Sequence, residues 1–149
     1  MSATIHASLT SDKINIQGAY DFVADDAHGA IDVFVGTVRN LHEGQNVLGI
    51  TYDAHEGLAK NVFTQICLEA QSRWQGTKIY LSHYNGELDI GGISIIIAVS
   101  SAHRANSFEA CRYIIEEIKK RAPVWKQEHY ENGRSEWLPG HSLNEANSE

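Results

Sequence analysis

The chain contains 149 residues, of which 42% are hydrophobic, and this is enough for one domain with a substantial core. Its formal net charge of -7 argues against a nucleic-acid or anionic-membrane partner, because both attract positively charged proteins. The sequence shows no apolar run long enough to span a membrane and no secretion signal at its N-terminus, so we predict a cytoplasmic protein.

The positive charge is unevenly distributed. Seven of the twelve basic residues lie between positions 104 and 134, namely Arg104, Arg112, Lys119, Lys120, Arg121, Lys126 and Arg134. An acidic protein that concentrates its positive charge in one segment is expected to bind one localised anionic ligand.

Strands are predicted in the first third of the chain. Residues 3–9 alternate between apolar and polar side chains, and residues 30–38 do so more clearly. A turn at 42–46 precedes a returning strand at 47–52, so we expect residues 30–53 to form a hairpin.

A core-facing helix is predicted next, because apolar residues recur at helical spacing from Gly57 to Gln75. Residues 77–83 alternate as a strand, and an irregular segment rich in turn residues follows from Asn85 to Gly92. The β-branched run from Ile93 to Val99 then predicts a buried strand.

The histidines do not predict a metal site. His55 and Glu56 begin like the zinc-protease pattern, but the second histidine that the pattern requires is replaced by Ala59. No other pair among the eight histidines has tight ligand spacing, so we expect neither a metal nor a cofactor.

The two cysteines, Cys67 and Cys111, each fall within a predicted helix. This placement is typical of buried, reduced thiols rather than a disulfide framework. A catalytic cysteine is the alternative interpretation.

A second helix is predicted to begin near His103 and Arg104, capped by the hydroxyl groups of Ser100 and Ser101. A helix N-terminus presents unpaired backbone N–H groups and a partial positive charge. A histidine and an arginine at this position therefore predict a site for a phosphate or carboxylate.

The end of the same helix carries a lysine on the border of its apolar side. At about 100° per residue, Lys119 falls about 20° from Phe108, whereas Lys120 and Arg121 point away. Burial there would lower the pKa of Lys119 and suit it to act as a base or nucleophile. The alternative is a lysine that packs its aliphatic stem and extends its ammonium group into water.

Pro123 is expected to end this helix, because it lacks an N–H group and disfavours the helical conformation of the preceding residue. Residues 124–128 then predict a strand with Trp125 on one face and Lys126 on the other. If this strand folds back beside the helix, Lys126 and Lys119 converge.

The remaining sequence predicts another hairpin at Asn132 and Gly133, with Trp137 on its return strand. Strands interrupted by two long helices predict a single α+β domain over residues 1–149, built mainly from antiparallel strands. Residues 1–28 are the least informative and are assigned to a variable N-terminal segment, and residues 139–149 to a flexible tail.

These motifs resemble the large, catalytic subunit of molybdopterin synthase over roughly residues 28–138. Three segments in combination carry the resemblance, and any one of them alone would be weak. They are Val38-Arg39-Asn40, then Ser101-Ala102-His103-Arg104 with Phe108, and Lys119-x-Arg121-Ala122-Pro123-x-Trp125-Lys126-x-Glu128.

The resemblance implies the α/β-hammerhead-like fold of that family with a small β subdomain, and a homodimer. It also implies that each subunit receives the C-terminal Gly-Gly tail of a small ubiquitin-like sulfur-carrier subunit, giving a heterotetramer. Sulfur from the thiocarboxylated tail is transferred twice to cyclic pyranopterin monophosphate, which forms the dithiolene of molybdopterin. By the family pattern, Lys119 and Lys126 are the catalytic pair, and the substrate is bound by Thr37, Val38, Arg39, His103, Arg104, Gln127 and Glu128.

The sequence departs from the family pattern in one loop and one helix. Tyr84 and Asn85 stand in a segment where the family usually has arginine after the histidine, and Gly92 replaces a common acidic residue. These changes put in doubt any substrate contact by position 84 but leave the lysines unaffected. Leu58 stands where methionine is frequent, which is a conservative exchange.

Two other functions are alternatives to sulfur transfer. The altered loop at 83–92 suggests a non-catalytic module that docks a ubiquitin-like tail. The predicted anion site at His103 and Arg104 suggests a general phosphate-ligand-binding domain.

Overall fold

The computed structural model describes residues 3–137. It confirms an α+β fold with two long helices. In chain order the elements are β1 (Ile5–Thr10), α1 (Ile16–Val23), β2 (Ala30–Thr37), β3 (Leu41–His42), β4 (Gln45–Ala54), α2 (Glu56–Arg73), β5 (Lys78–Tyr84), β6 (Gly86–Asp89), β7 (Ile93–Ser101), α3 (Arg104–Arg121), β8 (Val124–Tyr130) and β9 (Ser135–Trp137).

The first sheet has the strand order β1-β5-β7-β2, in which the β1–β5 pair is parallel and the other pairs are antiparallel. Its central strand β7 is buried because helices cover both faces. Ile97 and Val99 pack into the core formed with α2 and α3, and the alternating Ile96 and Ala98 pack against α1.

The second sheet has five strands and is organised around β4. Strand β8 pairs with one edge of β4, and the short strands β3 and β6 pair with β4 as well. The register places Ile50 opposite Glu128 and Tyr52 opposite Lys126. This sheet is the predicted small β subdomain, and its register determines which side chains share a face with Lys126.

The predicted hairpin over residues 30–53 is wrong. Strand β2 pairs with β7, about 60 residues away, and only the two-residue strand β3 pairs with the start of β4. The predicted turn at 42–46 is confirmed, since Glu43 and Gly44 both have positive φ values, 48° and 77°. A local turn signal shows where the chain reverses but not which strand lies beside it.

Two further local predictions are corrected. The segment after Asn85 contains a regular strand, β6, which pairs with β4. The hydroxyl groups of Ser100 and Ser101 do not cap α3, because they donate to the carbonyl oxygens of Val23 and His103, each at 2.6 Å.

The remaining helix and turn predictions are confirmed. Helix α3 begins after His103 and ends at Arg121, two residues before Pro123. The hairpin at Gly133 joins β8 to β9 and brings Trp137 opposite Gln127. The predicted tail at 139–149 lies outside the described residues. None of the helices described between residues 3 and 137 is long and apolar enough to cross a membrane.

Candidate active site

The two predicted catalytic lysines line one cavity of about 280 Å³. Lys119 lies in the last turn of α3, and Lys126 lies on the inward face of β8, where burial alternates along the strand. Because Pro123 ends α3, the chain reverses between the two lysines, and β8 runs back beside the helix end. The predicted convergence is confirmed.

The cavity walls come from both sheets. Thr37, Arg39 and Glu128 line it, as the family resemblance implied. The sequence did not single out the other lining residues, which are Phe34, Gly36, Leu41, Ile50, Tyr52, Ser94 and Ile95. Ile50 and Tyr52 could be found only from the β4–β8 register, which places them opposite Glu128 and Lys126.

Burial changes the chemistry of the lysines. Lys126 is only 8% exposed and Lys119 is half-buried. The pKa of Lys119 is lowered to about 8, first by desolvation and then by the positive charge of Lys126, while Glu116 partly offsets both effects. At neutral pH roughly one Lys119 in ten is therefore an uncharged amine, which can accept a proton.

A buried carboxylate faces the same cavity. Glu128 is 3% exposed, and its Oε1 accepts a hydrogen bond of 3.0 Å from the Tyr130 hydroxyl. Desolvation is the main cause that raises the pKa of Tyr52, a hydrogen bond with Ser94 lowers it, and the negative charge of Glu128 raises it further. Among the described residues, those that line the cavity thus include one carboxylate, two lysines and Arg39.

An uncharged histidine lies behind the cavity wall. Burial lowers the pKa of His83 to about 4, a backbone hydrogen bond partly offsets this, and the charge of Lys119 adds to the lowering. Its Nδ1 lies 2.8 Å from the carbonyl oxygen of Tyr84, and its ring contacts Tyr52 and Phe63 with centroid distances of 5.1 Å and 6.2 Å. A carbonyl oxygen can only accept, so Nδ1 carries the proton.

Tyr84 itself packs on the opposite side of the sheet, against the cluster that contains α1. Position 84 therefore does not line the lysine cavity, and the departure from the family pattern there leaves the cavity unchanged. Gly92 lies where an added Cβ would be 2.9 Å from the carbonyl oxygen of Asp89, so the acidic residue frequent in the family would not fit this backbone.

His103 and Arg104 are not brought to this cavity in a single chain. Both are exposed at the N-terminal end of α3. Lys119 lies sixteen residues further on, which corresponds to about 24 Å along the helix axis. Within one chain, the expected anion site and the lysine pair are therefore separate.

Two other predicted substrate-binding residues also lie outside the cavity lining. The side chain of Val38 is buried in the core, and its backbone bonds to Gly91 and Gly92. Gln127 lies on the face of β8 opposite to that of Lys126 and Glu128.

The cysteines are buried and free, as predicted, and neither lines the lysine cavity. Desolvation is the main cause that raises the pKa of each thiol to about 12, which disfavours a nucleophilic thiolate. Within residues 3–137 no cluster of three or more histidine, cysteine, aspartate or glutamate side chains is arranged to hold a metal ion.

Comparison with known proteins places this chain in a family. The model of the MoaE protein family matches residues 9–121. The molybdopterin synthase catalytic subunit of Synechococcus elongatus is 46% identical over 136 residues, which cover 91% of this chain and 82% of the relative. That of Halalkalibacterium halodurans is 41% identical, covering 85% and 81%.

Solved structures agree with the sequence relatives. The crystal structure of molybdopterin synthase from Staphylococcus aureus superposes with a TM-score of 0.85 at 34% identity, covering 89% of this chain and 96% of that chain. A MoaE protein from Burkholderia ambifaria superposes with a TM-score of 0.78 at 26% identity, covering 95% and 92%. This chain belongs to the MoaE protein family.

Proposed function

We propose that this protein is the catalytic subunit of a molybdopterin synthase. It transfers sulfur from the thiocarboxylated C-terminus of a small ubiquitin-like carrier subunit to cyclic pyranopterin monophosphate, forming the dithiolene of molybdopterin. The observation that carries the proposal is the pair of lysines, Lys119 and Lys126, in one sheltered cavity. The two buried, free cysteines are compatible with a reducing cytoplasm, where we propose that the enzyme works.

The charges of the cavity match the reactants. The thiocarboxylate and the substrate phosphate are both anions. Lys119 on α3, Lys126 on β8 and Arg39 in the segment between β2 and β3 supply positive charge to the cavity. Cations held in a partly dry cleft stabilise bound anions and the negative charge that develops during acyl transfer. Thr37 adds a hydroxyl group at the end of β2.

The lowered pKa of Lys119 gives it a role in proton transfer. In each round the thiocarboxylate sulfur bonds to a side-chain carbon of the substrate as a bond from that carbon to oxygen breaks, and the oxygen takes up a proton. Water then cleaves the thioester formed, which leaves the carrier as a carboxylate and the substrate carbon bonded to a thiol sulfur. These exchanges require a group that both accepts and donates protons near neutral pH. Lys119 does so because its pKa is about 8, and Lys126 remains close as a second positive charge.

We further propose that His103 and Arg104 act at the cavity of a second copy of the chain. The homodimer implied by the family resemblance provides that copy. The support is the separation of about 24 Å along α3, which prevents these residues from serving the lysines of their own chain. Both are exposed and therefore available to a neighbouring subunit.

The proposed function is tested with the purified protein, a thiocarboxylated carrier and the cyclic substrate, by measuring dithiolene product. We expect product from the unmodified protein and a loss of about 10²-fold or more in rate for Lys119→Ala, because the proton-transfer group is removed. Lys120→Ala is the matched control, since this exposed neighbour on the same helix is paired with Glu117 rather than the cavity.

A non-catalytic docking module would give a different result. It would bind the carrier tail, measured by calorimetry, but yield no product with the unmodified protein. Equal rates for Lys119→Ala and the unmodified protein would also contradict the proposed mechanism.

A further inference from the structure

A histidine lies beside the cavity carboxylate without lining the cavity itself. His42 is buried, and its Nε2 lies 3.5 Å from Glu128 Oε1, the same oxygen that accepts the Tyr130 hydroxyl at 3.0 Å. Two groups from different strands, β3 and β8, therefore contact one oxygen of Glu128. The exposed Glu43 also approaches His42 Nε2, at 3.9 Å.

The β3–β4 hairpin holds His42 in this position. Strand β3 has only two residues, and His42 pairs with Gln45 across a two-residue turn. Both turn residues, Glu43 and Gly44, have positive φ values, which is the geometry of a tight hairpin that follows the sheet twist. Because the side chains of a strand alternate between its faces, Leu41 is exposed and His42 is directed inward.

Such contacts are required where a carboxylate is buried. Removing a carboxylate from water is strongly unfavourable unless hydrogen-bond donors or positive charges compensate it. Glu128 is 3% exposed and is the one carboxylate among the described residues that line the lysine cavity. Contacts from two different strands to a single oxygen also restrict rotation of the carboxylate.

We propose that His42 is a positioning residue for the sulfur-transfer reaction. Together with Tyr130 it holds the carboxylate of Glu128 towards the cavity, where Glu128 exchanges protons with the lysines. This inference rests on the proposed function. The step transfers one proton from a lysine ammonium to the carboxylate, giving an amine and a carboxylic acid, and the reverse transfer restores both.

The geometry of β8 supports this exchange. Lys126 and Glu128 are two residues apart on the same face of the strand, which separates their Cα atoms by about 7 Å, and both line the cavity. A carboxylate in this place can receive a proton from a lysine while the substrate is bound. A misoriented carboxylate would leave substrate binding intact and slow the chemical step.

The experiment compares kcat and KM for dithiolene formation in variants of the full chain with the carrier present. His42→Phe keeps the ring volume but removes the N–H group, and we expect kcat to fall about tenfold with little change in KM. His42→Gln retains a donor and should recover most of the lost rate. Gln45→Ala is the matched control, since Gln45 is an exposed residue on the same hairpin, and it should match the unmodified protein.

A double variant separates positioning from a general effect on the fold. If His42 acts through Glu128, His42→Phe added to Glu128→Gln causes no further loss of kcat. An equal loss in both backgrounds, or a His42→Phe variant with normal kcat, overturns the inference. If His42→Phe does not fold, the Tyr130→Phe variant is used instead, because it removes the hydroxyl group that donates to the same carboxylate oxygen. A lowered kcat in this variant supports positioning of Glu128, and a normal kcat overturns it.

The outcome for the unmodified protein is read first. No product from it overturns the proposed function and this inference together. Normal product from both the unmodified protein and His42→Phe overturns the inference alone.

Discussion

At the scale of single residues, the site depends on holding Lys119 where its charge is unfavourable. Desolvation and the neighbouring charge of Lys126 lower its pKa from 10.5 to about 8. This shift makes the lysine suitable for proton transfer near neutral pH. It also means that Lys119 binds its proton less tightly in the folded state than in the unfolded state, so the charged lysine destabilises the fold. Function and stability are therefore opposed at this residue.

Replacing Lys119 by methionine should separate the two effects. Lys119→Met keeps an unbranched apolar side chain and removes the buried charge, so we expect the free energy of unfolding at pH 7 to increase by about 1 to 3 kcal/mol while product formation is lost. Urea unfolding of both proteins measures the difference. Lys120→Met, on the exposed side of α3, should change it by less than about 0.5 kcal/mol.

The pH dependence of this difference has a definite sign. Below pH 8 Lys119 is charged in both states, so the full penalty applies to the folded protein. Between about pH 8 and 10.5 the folded state loses its proton first, so the unfolded state binds more protons and the stability of the unmodified protein rises with pH. The advantage of Lys119→Met should therefore shrink over this range, and a constant advantage would contradict the assigned cause.

At the scale of elements, the cavity requires close approach of β2 to β7. The register of the two strands shifts between Gly36 and Thr37, where both residues line the cavity. A Cβ on Gly36 would lie 2.8 Å from Ile95 Cγ2 and 3.3 Å from Ser94 Oγ. The glycine is needed for space at this position, since its φ is not positive.

Gly36→Ala should therefore destabilise the protein by about 1 to 3 kcal/mol, because the added methyl group overpacks the strand pair. It should also lower activity, since Ser94 and Ile95 would move within the cavity wall. Thermal or urea unfolding and the product assay measure both effects.

Gly57→Ala provides the matched control. Gly57 lies in α2 with nothing within 4 Å of an added Cβ, so alanine should stabilise the helix by about 0.5 to 1 kcal/mol and leave activity unchanged. Destabilisation by both substitutions would show that packing at Gly36 is not the cause.

At the scale of the whole molecule, the proposed action of His103 and Arg104 at a lysine cavity requires a second copy of the chain. Helix α3 is one 18-residue element that begins directly after His103 and carries Lys119 near its other end. Its length prevents both ends from serving one cavity. A closed, two-fold homodimer would allow each α3 to contribute its N-terminal end to the partner's cavity.

Mixed dimers test this arrangement. In a dimer that pairs a Lys119→Ala chain with an Arg104→Ala chain, a site shared between chains retains one intact copy, whereas a site within one chain retains none. Random assembly by co-expression should therefore restore about one quarter of the unmodified activity.

The control for this test pairs Lys119→Ala with Lys126→Ala. These residues line the same cavity of one chain, so the mixed dimer should stay inactive. Equal activity from the two mixtures would contradict the shared site.

The sequence by itself determined the two long helices, the buried strand β7 and the chemistry of individual positions. The apolar spacing of α2 and α3, the stop at Pro123 and the buried strand β7 are local patterns, and periodicity within one element reveals them. The placement of Lys119 on the border of the apolar side of α3 likewise predicted its lowered pKa without reference to the residues that surround it in the fold.

Tertiary structure alone decided which strands became neighbours. The pairing of β2 with β7, the register that sets Tyr52 opposite Lys126, and the approach of His42 to Glu128 join residues far apart in the chain. Strand partners are selected by packing of the whole core, which no local pattern encodes. For the same reason, the sequence grouped His103 with the lysines, whereas the length of α3 keeps them apart within one chain.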